Sequence, residues 1–235
     1  MSSKQYLEII KELKSLSNPE AVRGMAKFGI NPENTLGVSI PVLRKIAQKT
    51  GKQHKLAGQL WNSKIHEARI LSTMIDAPRE VTEKQMEKWV MDFDSWDVCD
   101  QTCSNLFRKT GLADEKAVEW SRQEEEFVKR AGFVLMACLA VHDKKADDNH
   151  FEKYFPIIKR EAKDDRNFIK KAVNWALRQI GKRNLNLNKK AIALAKEIAK
   201  LDSKSAKWIA SDALRELTGK KVQDRLESIA VQRKR

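Results

Sequence analysis

Apolar residues along this chain recur at three- and four-residue steps and nowhere alternate at every second position, which restricts the fold to helices packed on helices. Tyr6, Ile9, Ile10, Leu13 and Leu16 line one face of a first helix. Asn18-Pro19-Glu20 then supplies an N-cap, a proline in the first helical position and an acid in the first turn of a second. Gly51, Gly111, Gly181 and Gly219 each close a periodic segment, most with Lys or Arg in the preceding turn, which suits a left-handed cap and the negative end of the helix dipole. The pattern predicts about a dozen helices of roughly 10 to 17 residues and no strand.

Helices this even in length point to repeats. Phe127-Val-Lys-Arg-Ala131 returns 41 residues later as Phe168-Ile-Lys-Lys-Ala172, and Ala176-Leu177-Arg178 returns 37 residues later as Ala213-Leu214-Arg215. Periods of about 37 to 47 residues are those of two-helix repeats of the HEAT type. The expected fold is therefore all-α: tandem two-helix HEAT-like repeats stacked into a curved α-solenoid with a basic concave face. No Pro/Gly/Ser-rich linker interrupts the chain, so residues 1–235 are expected to form a single domain.

The chain carries 46 Lys and Arg against 32 Asp and Glu, a net charge of +14, and residues 151–235 alone hold 23 against 10. A phosphate backbone is the obvious partner for such a surface, because binding it releases condensed counterions. Basic helices that are merely soluble, or that meet an anionic membrane surface, are the alternatives. The longest uncharged apolar stretch, Ala131 to His142, is short of the roughly 18 to 20 residues a bilayer span needs. The N-terminus lacks the apolar core of a signal peptide, and Cys99, Cys103 and Cys138 cannot all pair. A cytoplasmic protein with no membrane partner is expected.

Two segments could carry chemistry. Asp94-Ser95-Trp96-Asp97-Val-Cys99-Asp100 reads as a helix start with Asp94 or Ser95 as cap, and Trp96 and Asp100, four apart, share a helix face. A core tryptophan with capping and surface acids would look the same. In Asn167-Phe-Ile-Lys170-Lys171-Ala-Val-Asn174-Trp175-Ala-Leu-Arg178-Gln-Ile-Gly-Lys182-Arg183, the residues Lys171, Trp175, Arg178 and Lys182 follow the 4-3-4 spacing of one stripe. An aromatic among cations fits a surface that meets phosphates and stacks on a sugar or base; a half-buried tryptophan with snorkelling neighbours is the alternative. Arg130 opens an apolar helix otherwise uncharged as far as His142, and either caps a structural salt bridge or faces the concave side. Cys99 and Cys103 lack further ligands at zinc spacing and read as buried small hydrophobes; His54, His66, His142 and His150 are scattered. Loops for nucleotide phosphates and the serine-hydrolase elbow are absent from the sequence.

Leu36-Gly37-Val38-Ser-Ile-Pro41-Val-Leu43-Arg44, Leu60-Trp61, His66-Glu67-Ala68-Arg69, Ser95-Trp96-Asp97-Val-Cys-Asp100, Arg130-Ala131 and Lys171-Ala-Val-Asn-Trp175-Ala-Leu-Arg178, in this order, resemble the AlkD-type DNA alkylation repair family over roughly residues 4 to 220. The resemblance implies HEAT-like repeats holding duplex DNA and, in the enzymes, a monofunctional glycosylase that releases N3- and N7-alkylated purines without metal or cofactor. It assigns the catalytic carboxylate to Asp100, the indoles beside the deoxyribose to Trp96 and Trp175, and a backbone contact near the lesion to Arg130. Lys170, Lys171, Arg178, Lys182 and Arg183 are the other expected DNA contacts of a protein expected as a monomer. The chain departs from the family pattern at Phe28, where some members carry tyrosine, and at Ser95, where some carry a second tryptophan. Some relatives of this fold bind DNA without excision, so a module for damaged, bent or branched DNA is the alternative. A helical scaffold for an acidic protein is a third.

Overall fold

The computed structural model describes residues 4–232. Among them are fifteen α-helices, one 3-10 turn and no strand. Several helices are shorter than the periodicity predicts: Pro19–Ala26 has 8 residues, Asp148–Glu152 has 5 and Phe155–Glu161 has 7. Side chains cut them to length. Asp147 accepts from the His150 N–H and starts one helix, and Pro156 sits in the first turn of the next. The contacts group the chain into two compact units, one ending at Leu112 and one beginning at Ala113.

The first unit comprises α1 (Lys4–Ser15), α2 (Pro19–Ala26), α3 (Ile40–Thr50), α4 (His54–Asn62), α5 (His66–Ile75), α6 (Glu83–Met91) and α7 (Trp96–Asn105). α5 is its centre, packed on α3, α4 and α7 and buried everywhere except Met74. Its polar side chains are accordingly satisfied. Glu67, 1% exposed, accepts from the backbone N–H groups of Leu36 (2.9 Å), Gly37 (2.6 Å) and Val38 (3.2 Å). Trp61 and Trp89 stack in parallel 4.0 Å apart, and the Trp61 indole donates to Asp92 at 2.8 Å. Contacts between successive hairpins fall at near-constant separations: Gly37 with Glu67, Trp61 with Asp92, His66 with Asp97, Thr73 with Asn105.

The second unit comprises α8 (Ala113–Trp120), α9 (Glu126–His142), α10 (Asp148–Glu152), α11 (Phe155–Glu161), α12 (Asn167–Gly181), α13 (Leu185–Ile198), α14 (Lys204–Leu217) and α15 (Lys220–Gln232). α9 is buried without a break from Val128 to Ala140, as a helix apolar on all sides must be. It packs on α8 and α12, and α12 packs in turn on α14. The two phenylalanines of the sequence repeat, Phe127 and Phe168, touch with ring centroids 5.6 Å apart. Five bonds between neighbouring hairpins each span 38 residues: Arg130 to Phe168, Asn174 to Asp212, Arg178 to Glu216, Lys159 to Glu197 and Lys190 to Glu152. A tandem two-helix repeat is thus written into the contacts as well as the sequence. The last helix, α15, buries only Leu226.

Of the four glycines expected at helix ends, only Gly51 adopts the left-handed region, at φ 74°. Gly181 is instead the buried last residue of α12. A glycine that the end-of-helix pattern passes over matters more. A Cβ on Gly132 would lie 2.5 Å from the Ser121 amide nitrogen and 2.9 Å from the Ala117 carbonyl, so its absence lets α9 lie directly on α8.

Candidate DNA-interacting site

In the first unit, α7 brings together the residues singled out in its first turn. Ser95 is the N-cap by backbone conformation, yet its hydroxyl makes no bond to its own helix and instead accepts from the Asn31 N–H at 2.9 Å. Asp97 lies in that turn: one oxygen accepts from the Val98 N–H at 2.9 Å and the other meets His66 Nε2 at 2.9 Å. Burial alone would push the His66 imidazole down, but the bond and charge of Asp97, with Glu67 and Asp94 nearby, hold it above its usual range. Arg69 bonds the Asp92 carbonyl and the Asp94 carboxylate, at 3.2 and 3.3 Å. The half-buried Trp96 indole donates to the Phe28 carbonyl at 3.0 Å, and the Phe28 ring stands 76% exposed. Asp100, half-buried, follows one turn after Trp96, between the fully buried Cys99 and Cys103. The sequence gives no sign of His66, Arg69 and Asn31 as supports of this turn, because they lie 23 to 64 residues from their partners.

In the second unit, the basic stripe of α12 runs against an acidic stripe of α14. Glu216 bonds Arg178 and Lys182, one through each carboxylate oxygen and both at 2.5 Å, and Asp212 approaches Arg178 at 3.5 Å. Asp212 also accepts from Asn174 at 2.6 Å. Burial pushes the Glu216 carboxyl up, but the bond from Lys182 and the charge of Arg178 outweigh it and hold it below the ordinary carboxylate range. Lys170 places its ammonium 5.2 Å from the ring centroid of Trp208, which is 40% exposed. Lys171 is exposed and Trp175 half-buried.

The remaining two expected DNA contacts are held by their own chain. Arg130 is 6% exposed and donates to the Phe168 carbonyl at 2.5 Å. It faces a backbone carbonyl of the next hairpin, a role its position in the sequence does not reveal. Arg183 donates to the carbonyls of Ala140 and Ala146 at 2.6 and 3.1 Å, and its guanidinium lies 3.9 Å from the Phe151 ring centroid. Glu216 and Asp212 are what stripe counting overlooks. The signal for them is the repeat period, since a step of 38 from Arg178 and Asn174 lands on these two acids.

Comparison with known proteins bears on this arrangement. A family described as DNA alkylation repair enzyme matches residues 9–217. An uncharacterized protein of Listeria innocua, Lin0241, is 25% identical over 194 residues, 81% of this chain and 84% of the relative. A solved structure described as one of "a new family of proteins related to the HEAT-like repeat DNA glycosylases with affinity for branched DNA structures" superposes with a TM-score of 0.74 at 20% identity, over 91% of this chain and 96% of that one. No helix among the described residues is long and apolar enough to cross a membrane.

Proposed function

The chain belongs to the DNA alkylation repair enzyme family, and from that premise we propose that it is a monofunctional glycosylase releasing N3- and N7-alkylated purines from duplex DNA. The observation that carries the proposal is the first turn of α7, where a half-buried Trp96 and a half-buried Asp100 one turn later share a helix face on a heavily braced support. The proposed site is the cytoplasm, whose reducing conditions suit three buried free cysteines.

The chemistry suits these groups. Alkylation at N3 or N7 makes the purine cationic, so the glycosidic bond breaks to a neutral base and no general acid has to protonate the leaving group. What remains is to stabilise an oxocarbenium-like sugar and to deliver water. Asp100 does both, by its charge and by orienting the attacking water. The Trp96 indole attracts the developing cation, with an effect of about 0.5 to 2 kcal/mol, and Trp175 is assigned the same contact. These interactions grow as charge develops, so they favour the transition state. Lys171 meets DNA phosphates directly, and Lys170, Arg178 and Lys182 do so beside their ring or acid partners. Arg130 and Arg183 are assigned to the phosphate-facing field.

The test is release of free base from methylated duplex DNA. Wild type is expected to release 3-methyladenine or 7-methylguanine, and Asp100→Asn none, while both bind the duplex within about threefold of each other. Loss of binding in step with excision would make Asp100 structural. No release by a wild type that binds DNA would favour a second function, binding of branched DNA without excision, which the affinity described for the superposed relative supports.

A further inference from the structure

The geometry points to a dedicated oxyanion site at the far end of α12, which takes a phosphate group of a DNA strand. Two adjoining cavities of the second unit lie there. One, of 220 Å³, is lined by Lys144, Lys182, Arg183 and Arg225 and by no acid. The other, of 450 Å³, shares Lys182 and Arg225 and adds Arg215 and Lys221, with Glu216 its one acid. Six cations against a single carboxylate make a concave, charge-focused pocket rather than a solvated face. Asn184 also lines the smaller cavity, and it is the N-cap of the 14-residue α13, so the positive end of that helix dipole opens there. The sole acid is already engaged with Arg178 and Lys182, and Arg215 pairs with Asp212, which leaves Lys144, Lys221 and Arg225 to govern the potential in the cavities. Their volume suits a phosphate with part of its sugar and excludes a duplex. Lys182, the C-cap of α12, lies seven residues beyond Trp175, about 11 Å at the rise of an α-helix, close to three nucleotide steps on one strand.

The proposal rests on the DNA reading above and adds three cations, Lys144, Lys221 and Arg225, that reading does not use. Lys144 and Arg225 are both exposed, so replacing them leaves the fold intact. The test measures affinity and salt dependence of wild type and Lys144→Gln/Arg225→Gln for one unmodified blunt duplex, with and without 5′-phosphates. A thermal melt confirms folding, and Lys171→Gln serves as comparison. The double variant is expected to bind about tenfold more weakly, with a log–log salt slope shallower by about one unit. Equal losses on both duplexes identify a backbone diester as the occupant, and a loss confined to the phosphorylated duplex identifies a strand end. Wild-type affinity and slope in the double variant, with Lys171→Gln still weakened, would overturn the oxyanion site and leave DNA binding standing. A wild type that binds neither duplex would overturn both.

Discussion

Replacing Glu216 by Gln keeps the shape of its side chain and removes the charge that engages Arg178 and Lys182 at 2.5 Å. From sequence alone, Arg178 is expected to give one phosphate contact. With Glu216 in place, most of that charge is already compensated. Lys182 loses its acid partner while Arg178 keeps Asp212 at 3.5 Å, so about one further phosphate can be neutralised, which steepens the salt slope by about 0.9 units. Between 50 and 200 mM salt the variant therefore loses about three- to fourfold more affinity than wild type does. Fluorescence anisotropy with an unmodified duplex across that range reads the slope. Lys182→Ala, made in both backgrounds, completes a cycle: it should shift the slope by less than about half a unit in wild type and by about one unit beside Glu216→Gln. The ion pairs are part exposed, so the stability lost is small, about 1 kcal/mol, or roughly 2 to 4 °C in melting temperature. A slope that stays the same or becomes shallower would refute the reasoning, because Glu216 would then be orienting the two cations rather than competing for them.

Two further measurements probe the scaffold. The His66 pKa is raised from the usual 6.5, so its contribution to stability is fully present below about pH 6.5 and is lost as pH rises through the folded-state value. The margin of wild type over His66→Asn in urea unfolding should therefore shrink from pH 5.5 to pH 9, and a margin that widens would contradict the Asp97 pairing. Gly132→Ala places a Cβ 2.5 Å from a backbone nitrogen. Overpacking of about 1 to 3 kcal/mol outweighs a helix-propensity gain below about 1 kcal/mol. A melting temperature lowered by several degrees is expected, and an unchanged or higher one would show that α8 and α9 can move apart.

The helices, their all-α packing and a repeat of about 37 to 41 residues are legible in the sequence because Phe127 and Phe168, 41 apart, meet across the repeat and keep the same residue type. The repeat of the first unit is not, because its cross-hairpin partners are unlike: a carboxylate with backbone N–H groups at Glu67, an indole with a carboxylate at Trp61. The stripe of Lys171, Trp175, Arg178 and Lys182 is legible from helical spacing, and its neutralisation by α14 is not, since i, i+4 counting sees one helix at a time. Ser95 illustrates the same limit, its hydroxyl bound 64 residues away rather than at the helix it caps. The left-handed caps fail at three of four glycines because a periodic segment can also end in a tight turn, or in a residue whose missing Cβ is needed for packing.

The spacing of 38 residues between partners also governs how the second unit comes apart. When each hairpin is bonded mainly to the next, stability is a sum of neighbour terms and the stack opens first where the contact between neighbours is weakest. α15 buries only Leu226 and is otherwise held by the Gln223 amide, which donates to Asn188 and the Leu217 carbonyl, so its amides should exchange with solvent far sooner than those of α9. Arg225 and Ile229 of this loosely fastened helix line the 220 Å³ cavity. An anion settling there would act as a clasp, slowing exchange along α15 and turning occupancy of a small pocket into rigidity of the whole last repeat.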